Sequence, residues 1–422
     1  MSGSPIHPYS KTVRFQPRAV LFSFLLAVAL GGSIGSHSNA APNNRINIWH
    51  YLGTGPGGLV LNQLAGEFNK SQSKYEIVPE EAGSFQDVQI RTIAALRAGG
   101  LPSAAFVDNA FFTRLALGGQ LADFDEPAKA LPASTVIDLV PVVWEYGNVE
   151  TPTGPHRYGL PYMVSTVVLY YNVDAFAAKG IQPPKTWEEF AKAARALTTR
   201  ASKGAVLFTN AWIYSAVLAS RGASLLTPDK KPDFNSPTSL ETLRFLSDLV
   251  KSGALVSRTF NEAGFAVLDF LRTKVMMVVV TTSAYPAQTQ AAFAFKISAV
   301  PLPGKTIPGE AQLVTFKNTP IEAQRGVWEF WQFIARPENM ARFSKESYYL
   351  PIRRSAVKLM GDVAQNPVMK AGLEGLDRGF NYPHLIEFQD WRAILDDQLE
   401  RCLKGGVDPA KALGDAQRAA TK

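Results

Sequence analysis

One cysteine, Cys402, serves the whole chain of 422 residues. With no second cysteine it cannot form an internal disulfide, and lying near the far end it cannot be the acylated cysteine at a lipoprotein cleavage point. A chain this long does not need the cross-link, because its core is large enough to hold it. Histidine is scarce too. His7, His37, His50, His156 and His384 complete the set, and two of them fall in the first forty residues. No H-E-x-x-H zinc motif and no G-x-S-x-G nucleophile elbow occurs. Neither a metal nor a cofactor is expected. Long apolar runs are missing as well, since a membrane-spanning helix needs about 20 such residues. The charge balance of 43 Lys and Arg against 36 Asp and Glu is only mildly basic at +7. With no clustered basic stripe, a nucleic-acid partner is not expected.

What the first forty residues do hold is a leader. Lys11, Arg14 and Arg18 precede the short apolar run Ala19 to Leu30, and the small residues Ser38-Asn39-Ala40 follow. Positive charge, greasy core and small-residue site in that order read as a secretory signal peptide cleaved after Ala40. The expected location is the periplasm. The leader carries three basic residues and no acidic one, so its removal leaves the mature chain less basic still.

The mature region opens on Arg45 to Trp49, where Ile46 and Ile48 alternate as in a strand. A glycine-rich turn, Gly53 to Gly58, leads into an amphipathic helix over Leu59 to Phe68. A second strand, Tyr75 to Val78, precedes a helix over Phe85 to Arg97. Val167 to Tyr171 and Lys274 to Val280 are further strands, and Ser239 to Lys251 is a helix stopped by Gly253. Thr186, with Glu189 three residues on, predicts a capping box. Val327 to Ile334 is a helix ending before Pro337. Strands alternating with helices predict an α/β chain with mainly parallel sheets and helices on both faces. Length predicts two lobes, because single cores stop growing at roughly 250–300 residues.

Gly53-Thr-Gly55-Pro-Gly-Gly58 fits the dinucleotide fingerprint G-x-G-x-x-G. An exported chain has no normal supply of nicotinamide cofactor, and a strand-to-helix turn beside a cleft favours glycine anyway. The acidic groups Glu80-Glu81, Asp123/Asp125/Glu126 and Asp396-Asp397 leave open a carbohydrate-active hydrolase using a carboxylate pair. A binding role draws instead on Trp49, Phe85, Trp144, Tyr146, Tyr162, Trp212, Tyr214, Tyr285, Tyr348 and Tyr349, at strand ends or in turns. Flat aromatic faces with a few placed hydrogen-bonding groups suit a small polar solute such as a sugar. Trp187, Trp328 and Trp331, on helices, read as core.

Trp49-His50, Leu64 to Asn69, Tyr75 to Pro79, Leu169-Tyr-Tyr-Asn172, Pro183 to Phe190, Arg336 to Asn339 and Tyr349 to Ile352 carry a resemblance. In this order they resemble the extracellular solute-binding proteins of ABC sugar importers, above all their glycerol-3-phosphate and glycerophosphodiester branch. The resemblance implies a type II periplasmic-binding-protein fold with a ligand cleft at the hinge. The first lobe would take residues 42–163 and 298–347, the second 164–297 and 348–422. It implies delivery of an unaltered solute to permease subunits by a monomer that performs no reaction. Position by position, it implies contacts from Ser165, Trp212 and Tyr349. It also implies Phe85 in a tyrosine's place, Asp108-Asn109 at an acid, Thr282 or Ser283 at a hydroxyl, and Gly309 at a glycine. An arginine expected near the C-terminus aligns with His384, with Arg378 and Arg392 close by. An imidazole cannot grip phosphate oxygens in a guanidinium's two-pronged geometry, so this alignment favours a neutral sugar or polyol.

Overall fold

Local sequence chemistry sets the elements of the protein, whose structure is a computed structural model describing residues 44–259, 262–285 and 294–422. The expected signal peptide lies outside the described residues. The strand read at residues 45–49 is β1 (Asn44–His50), with Ile46 and Ile48 fully buried. The glycine turn then delivers the helix Pro56–Ser71, with proline at its first turn. Gly53 takes a left-handed φ of 61°, and a Cβ on Gly58 would sit 2.0 Å from the Gly53 carbonyl oxygen. The closure of the turn itself therefore accounts for these glycines.

Thr186 caps the helix Trp187–Leu197 by accepting from the Glu189 amide at 3.1 Å. The Glu189 carboxylate reaches back to the Lys185 amide, one residue before the cap itself. A complete capping box forms instead at Ser84 and Asp87, ahead of the helix Phe85–Ala98.

Two five-stranded sheets result, from β2 (Tyr75–Glu81), β3 (Ala104–Asp108), β6 (Leu160–Ser165), β7 (Val167–Asn172), β8 (Lys203–Phe208), β9 (Leu255–Arg258), β10 (Val275–Thr281), β11 (Ile297–Pro301) and β12 (Gly309–Thr315) with β1. The first runs β2-β1-β3-β12-β6 and the second β11-β7-β10-β8-β9. A small hairpin pairs β4 (Asn148–Thr151) with β5 (Gly154–Arg157). The sheets are mixed in equal measure: β2-β1-β3 and β10-β8-β9 run parallel, while β12 and β7 each make two antiparallel pairings. Parallel pairing is thus confined to the βαβ stretches. The antiparallel strands are those adjoining a passage between sheets.

Each sheet carries its own core. In β3, Ala104 and Phe106 pack with one helix layer while Ala105 and Val107 pack with the other. That alternation covers both faces of the first sheet, as the period of two demands. The second sheet is the centre of a separate apolar cluster that includes Trp187, Phe190 and Phe270. Trp328 and Trp331 are buried as expected.

The chain passes from the first sheet to the second at Thr166, which is fully buried and donates its hydroxyl to the Gly372 carbonyl at 3.1 Å. It returns between β11 and β12. The first lobe's expected second segment, from residue 298, starts inside β11, a strand of the second sheet. Leu350, Ile352, Ala356 and Met360, placed by the sequence with the second lobe, pack into the first sheet's core. The helix Pro367–Asp377 touches both cores, through Met369 and Leu376 on one side and Val368 and Ala371 on the other.

Candidate functional site

The carboxyl ends of strands from both sheets open onto one cleft of about 970 Å³. From the first sheet come Tyr51, just past β1, Asp108 at the end of β3, and Ser165 at the end of β6. Thr209 follows β8, Thr259 follows β9, and Thr281 ends β10. Ligand crevices of open α/β sheets lie outside these strand ends, where loops replace the ladder and backbone groups become free to bind.

Of the residues singled out in the sequence, Phe85, Asp108, Asn109, Tyr146, Ser165, Trp212, Ser283, Gly309 and Tyr349 line this cleft, as do Asp396 and Asp397 of the acidic groups. Phe85 stands edge-on to Tyr51, with ring centroids 6.4 Å apart. Tyr349 stacks on Phe343 at 5.7 Å. Trp212 donates its indole N–H to the Ile307 carbonyl at 2.9 Å, which pins the ring and leaves its face to the cleft. Gly309 is required where it stands, because a Cβ there would meet the Ser165 hydroxyl and the Trp212 ring at 3.1 Å.

Two expected contacts sit elsewhere. Thr282 is fully buried in the turn after β10, its methyl against Gly372, while Ser283 turns to the cleft. His384 does not line the cleft either. Its ring lies 4.4 Å from that of Tyr146 and 5.7 Å from that of Phe112, and Nδ1 is 2.8 Å from the Thr113 hydroxyl. Burial holds its pKa down at about 4. An aromatic slot that excludes water suits neutral imidazole, which explains both the position and the shift.

Arg392 lines the cleft in its place. The guanidinium stands on the helix Phe388–Leu403, and among the described residues no ion pair engages it. Its charge reaches Asp108 and Asp396, opposing the rise in pKa that burial gives both carboxyls. Those two acids are already occupied. Asp108 accepts from the Ala110 and Phe111 amides at 3.0 and 3.3 Å, capping the helix Asn109–Leu117. Asp396 accepts from the Ala211 amide at the start of the helix Ala211–Ser220.

Tyr51, Tyr382 and Phe388 also line the cleft and were not singled out in the sequence. The signal for Arg392 was its spacing, since Gln389, Arg392, Asp396 and Glu400 recur at three and four residues and so share a helix face. Trp49, Trp144, Tyr162, Tyr214, Tyr285 and Tyr348 lie outside the lining. Trp144, for instance, is sandwiched by the Trp331 ring and the Arg157 guanidinium. Asn109 Oδ1 and Asn381 Oδ1, in residues of the cleft wall, are buried acceptors without a partner among the described residues. Such atoms are costly until a donor meets them.

Comparison with known proteins matches residues 63–371 to the family described as bacterial extracellular solute-binding protein. The chain belongs to this family. Extracellular solute-binding proteins of this kind bind and hand over a solute without transforming it, so the hydrolase alternative falls away. The sn-glycerol-3-phosphate-binding periplasmic protein UgpB of Yersinia enterocolitica is 27% identical over 425 residues, covering 93% of this chain and 94% of its own. The Rhizobium meliloti protein of the same name is 25% identical over 429 residues, covering 93% of this chain and 96% of its own. Among solved structures, UgpB of Mycobacterium tuberculosis in complex with glycerophosphocholine is similar at a TM-score of 0.78 and 21% identity, over 90% of this chain and 98% of that one. The GacH receptor of Streptomyces glaucescens, solved unliganded and with acarbose, is similar at a TM-score of 0.78 and 20% identity, over 89% and 97%. The fold of this solute-binding protein is therefore the two-lobed type II periplasmic-binding architecture, with its cleft at the strand ends.

Proposed function

We propose that this chain is exported to the periplasm, its signal peptide cleaved near Ala40, and there captures a glycerophosphodiester for an ABC importer. The observation that carries the reading is Arg392, a guanidinium on the wall of the cleft that no ion pair engages among the described residues. A guanidinium grips two phosphate oxygens at once, which no neutral sugar requires. Ser165, Ser283 and Asn109 supply the hydroxyl and amide partners for a glycerol moiety, and Trp212 and Tyr349 its apolar faces. The relatives named for glycerol 3-phosphate support a solute that carries a glycerol phosphate moiety.

Capture proceeds by closure of two lobes. The first lobe takes residues 44–165 and 309–364, and the second the described residues of 167–301 together with 378–422. Thr166, the stretch 302–308 and the helix Pro367–Asp377 form the passages between them. Closure follows because the ligand adds contacts in the closed form that the open form lacks. The closed monomer is then what the permease recognises.

Isothermal titration with glycerophosphodiesters and with neutral mono- and disaccharides tests this directly. The expected result is saturable heat for a phosphodiester, lost in Arg392→Ala. Tight binding of a neutral saccharide that survives Arg392→Ala would overturn the phosphate reading.

A further inference from the structure

We propose that the end of the second sheet opposite the cleft is a basic face that holds the protein reversibly against an anionic phospholipid bilayer. This goes beyond the solute reading and does not depend on what the cleft takes.

The first observation is where the cations stand. β8, β9 and β10 are parallel, and β11 runs the same way beyond β7. Their amino ends therefore share the end of the sheet away from the cleft. Lys203 opens β8, and Lys274 and Lys296 stand immediately before β10 and β11. Register sets Lys203 opposite Val275, and the Lys203 amide donates to the Lys274 carbonyl at 2.7 Å. On the β9 side, a Cβ on Gly253, two residues after Lys251, would lie 3.1 Å from Lys203 Nζ. With neighbouring strands about 4.8 Å apart, Lys296, Lys274, Lys203 and the turn after Lys251 make a row of about 20 Å. Arg200 and Arg272 flank it in the turns before β8 and β10.

The second is that these charges are uncommitted. All six side chains are exposed, and among the described residues none enters an ion pair. Against them stand Asp174, whose carboxylate accepts from the Lys296 amide, and Asp248, one turn before Lys251. Asp408, whose charge reaches Cys402 as that of Lys251 does, caps the helix Pro409–Ala420. Asp269 is taken by Arg258. The balance is positive. A cation in the last turn of a helix answers the helix dipole, which accounts for Lys251, but that effect fades beyond the turn. Lys203 and Lys274 begin interior strands, where no exposed sheet edge needs protecting.

The third is the kind of surface such a row fits. The turns 198–202, 252–254 and 272–274 contain no aromatic residue on which nucleobases would stack. Long lysine side chains in a row fix no pattern of carboxylates and answer a density of negative charge. Anionic headgroups offer that density as a continuous plane, and each cation near it adds to the affinity. Leu268 adds an apolar contact. It is exposed on the helix Ala263–Leu271 and shares a face with Arg272, four residues on. Apolar groups beside cations strengthen attachment to a bilayer surface. In the periplasm proposed above, attachment would confine the search for the permease to the plane of its membrane.

Co-sedimentation of the solute-free mature protein with vesicles tests this. Partition onto vesicles of phosphatidylglycerol and phosphatidylcholine in equal parts should exceed that onto phosphatidylcholine alone at least about tenfold. It should fade at about 1 M salt, where the Debye length shrinks to ~3 Å. Lys203→Gln with Lys274→Gln should weaken it about 10- to 30-fold, at about fivefold per cation. The separate pair Lys251→Gln and Lys296→Gln should act alike, so the test does not hang on the folding of one variant. Lys358→Gln, an exposed change on the first lobe, should leave it unchanged. Equal partition onto both vesicle types, or anionic partition indifferent to both pairs, would overturn the proposal. So would retention on immobilised polyglutamate, lost in the Lys203 and Lys274 pair, without vesicle binding, which would assign the face to an acidic protein.

Discussion

His384 Nδ1 lies 2.8 Å from the hydroxyl of Thr113, joining a segment that follows the second sheet to a helix of the first. The imidazole is enclosed by Tyr146 and Phe112, and its pKa falls from 6.5 to about 4 because burial disfavours its charged form. The unfolded chain therefore binds a proton between those two values while the folded chain does not. Stability supplied by neutral His384 is present above pH 6.5 and is lost as pH falls toward 4. Relative to His384→Gln, the wild type should lose about 1 to 3 kcal/mol over that window, partial exposure being allowed for. Urea unfolding of both proteins at pH 7.5, 5.5 and 4.5 measures it. A difference constant with pH would show that the slot does not hold neutral imidazole.

Trp212 offers the cleft a pinned aromatic face, so its loss should cost binding more than folding. Trp212→Ala is expected to weaken ligand affinity about 10- to 100-fold, in line with the cost of truncating a buried aromatic anchor. Its unfolding temperature without ligand should drop by only a few degrees. An unchanged affinity would show that the ring is a bystander.

Gly309 stands where β12 passes between Ser165 and the Trp212 ring. The Cβ of Gly309→Ala would lie 3.1 Å from both. The ring is tethered through its N–H and can give only a little. Affinity should fall by about tenfold, ~1.4 kcal/mol, with the secondary structure intact by circular dichroism. Wild-type affinity in this variant would mean that the wall is softer than the contacts imply.

Gly204 makes the opposite kind of prediction, since it lies in the core rather than the cleft. A Cβ there would meet the Ala194 carbonyl oxygen at 1.9 Å and the Ala194 carbonyl carbon at 2.5 Å. All of these are backbone atoms, which cannot swing aside. Gly204→Ala should destabilise the protein by 1–3 kcal/mol or more, the usual scale of overpacking, and lower its melting temperature whatever ligand is present. A melting temperature equal to wild type would contradict the packing of β8 against the helix Trp187–Leu197.

The first strand, the glycine turn after it and the cap at Thr186 were all legible in the sequence, because each depends on neighbours a few residues away. Period-two burial of Ile46 and Ile48 and a hydroxyl three residues before Glu189 need no tertiary information. The cleft residues at strand ends, from Asp108 to Tyr349, were legible through the resemblance to solute-binding proteins. Their spacing alone did not mark them out. Two things were hidden. The side on which Thr282 and Ser283 face depends on how the turn after β10 meets Gly372, about ninety residues away. The exchange of His384 for Arg392 depends on a segment whose docking buries one residue in an aromatic slot and turns another to the cleft.

By itself the sequence determined which stretches become strand or helix and where several of them start and stop. It did so because backbone propensity, capping and hydrophobic period act over a few residues. Only the tertiary structure decided which charged group faces the solute. That choice is made by burial, and burial is a property of contacts between parts of the chain that are remote in sequence.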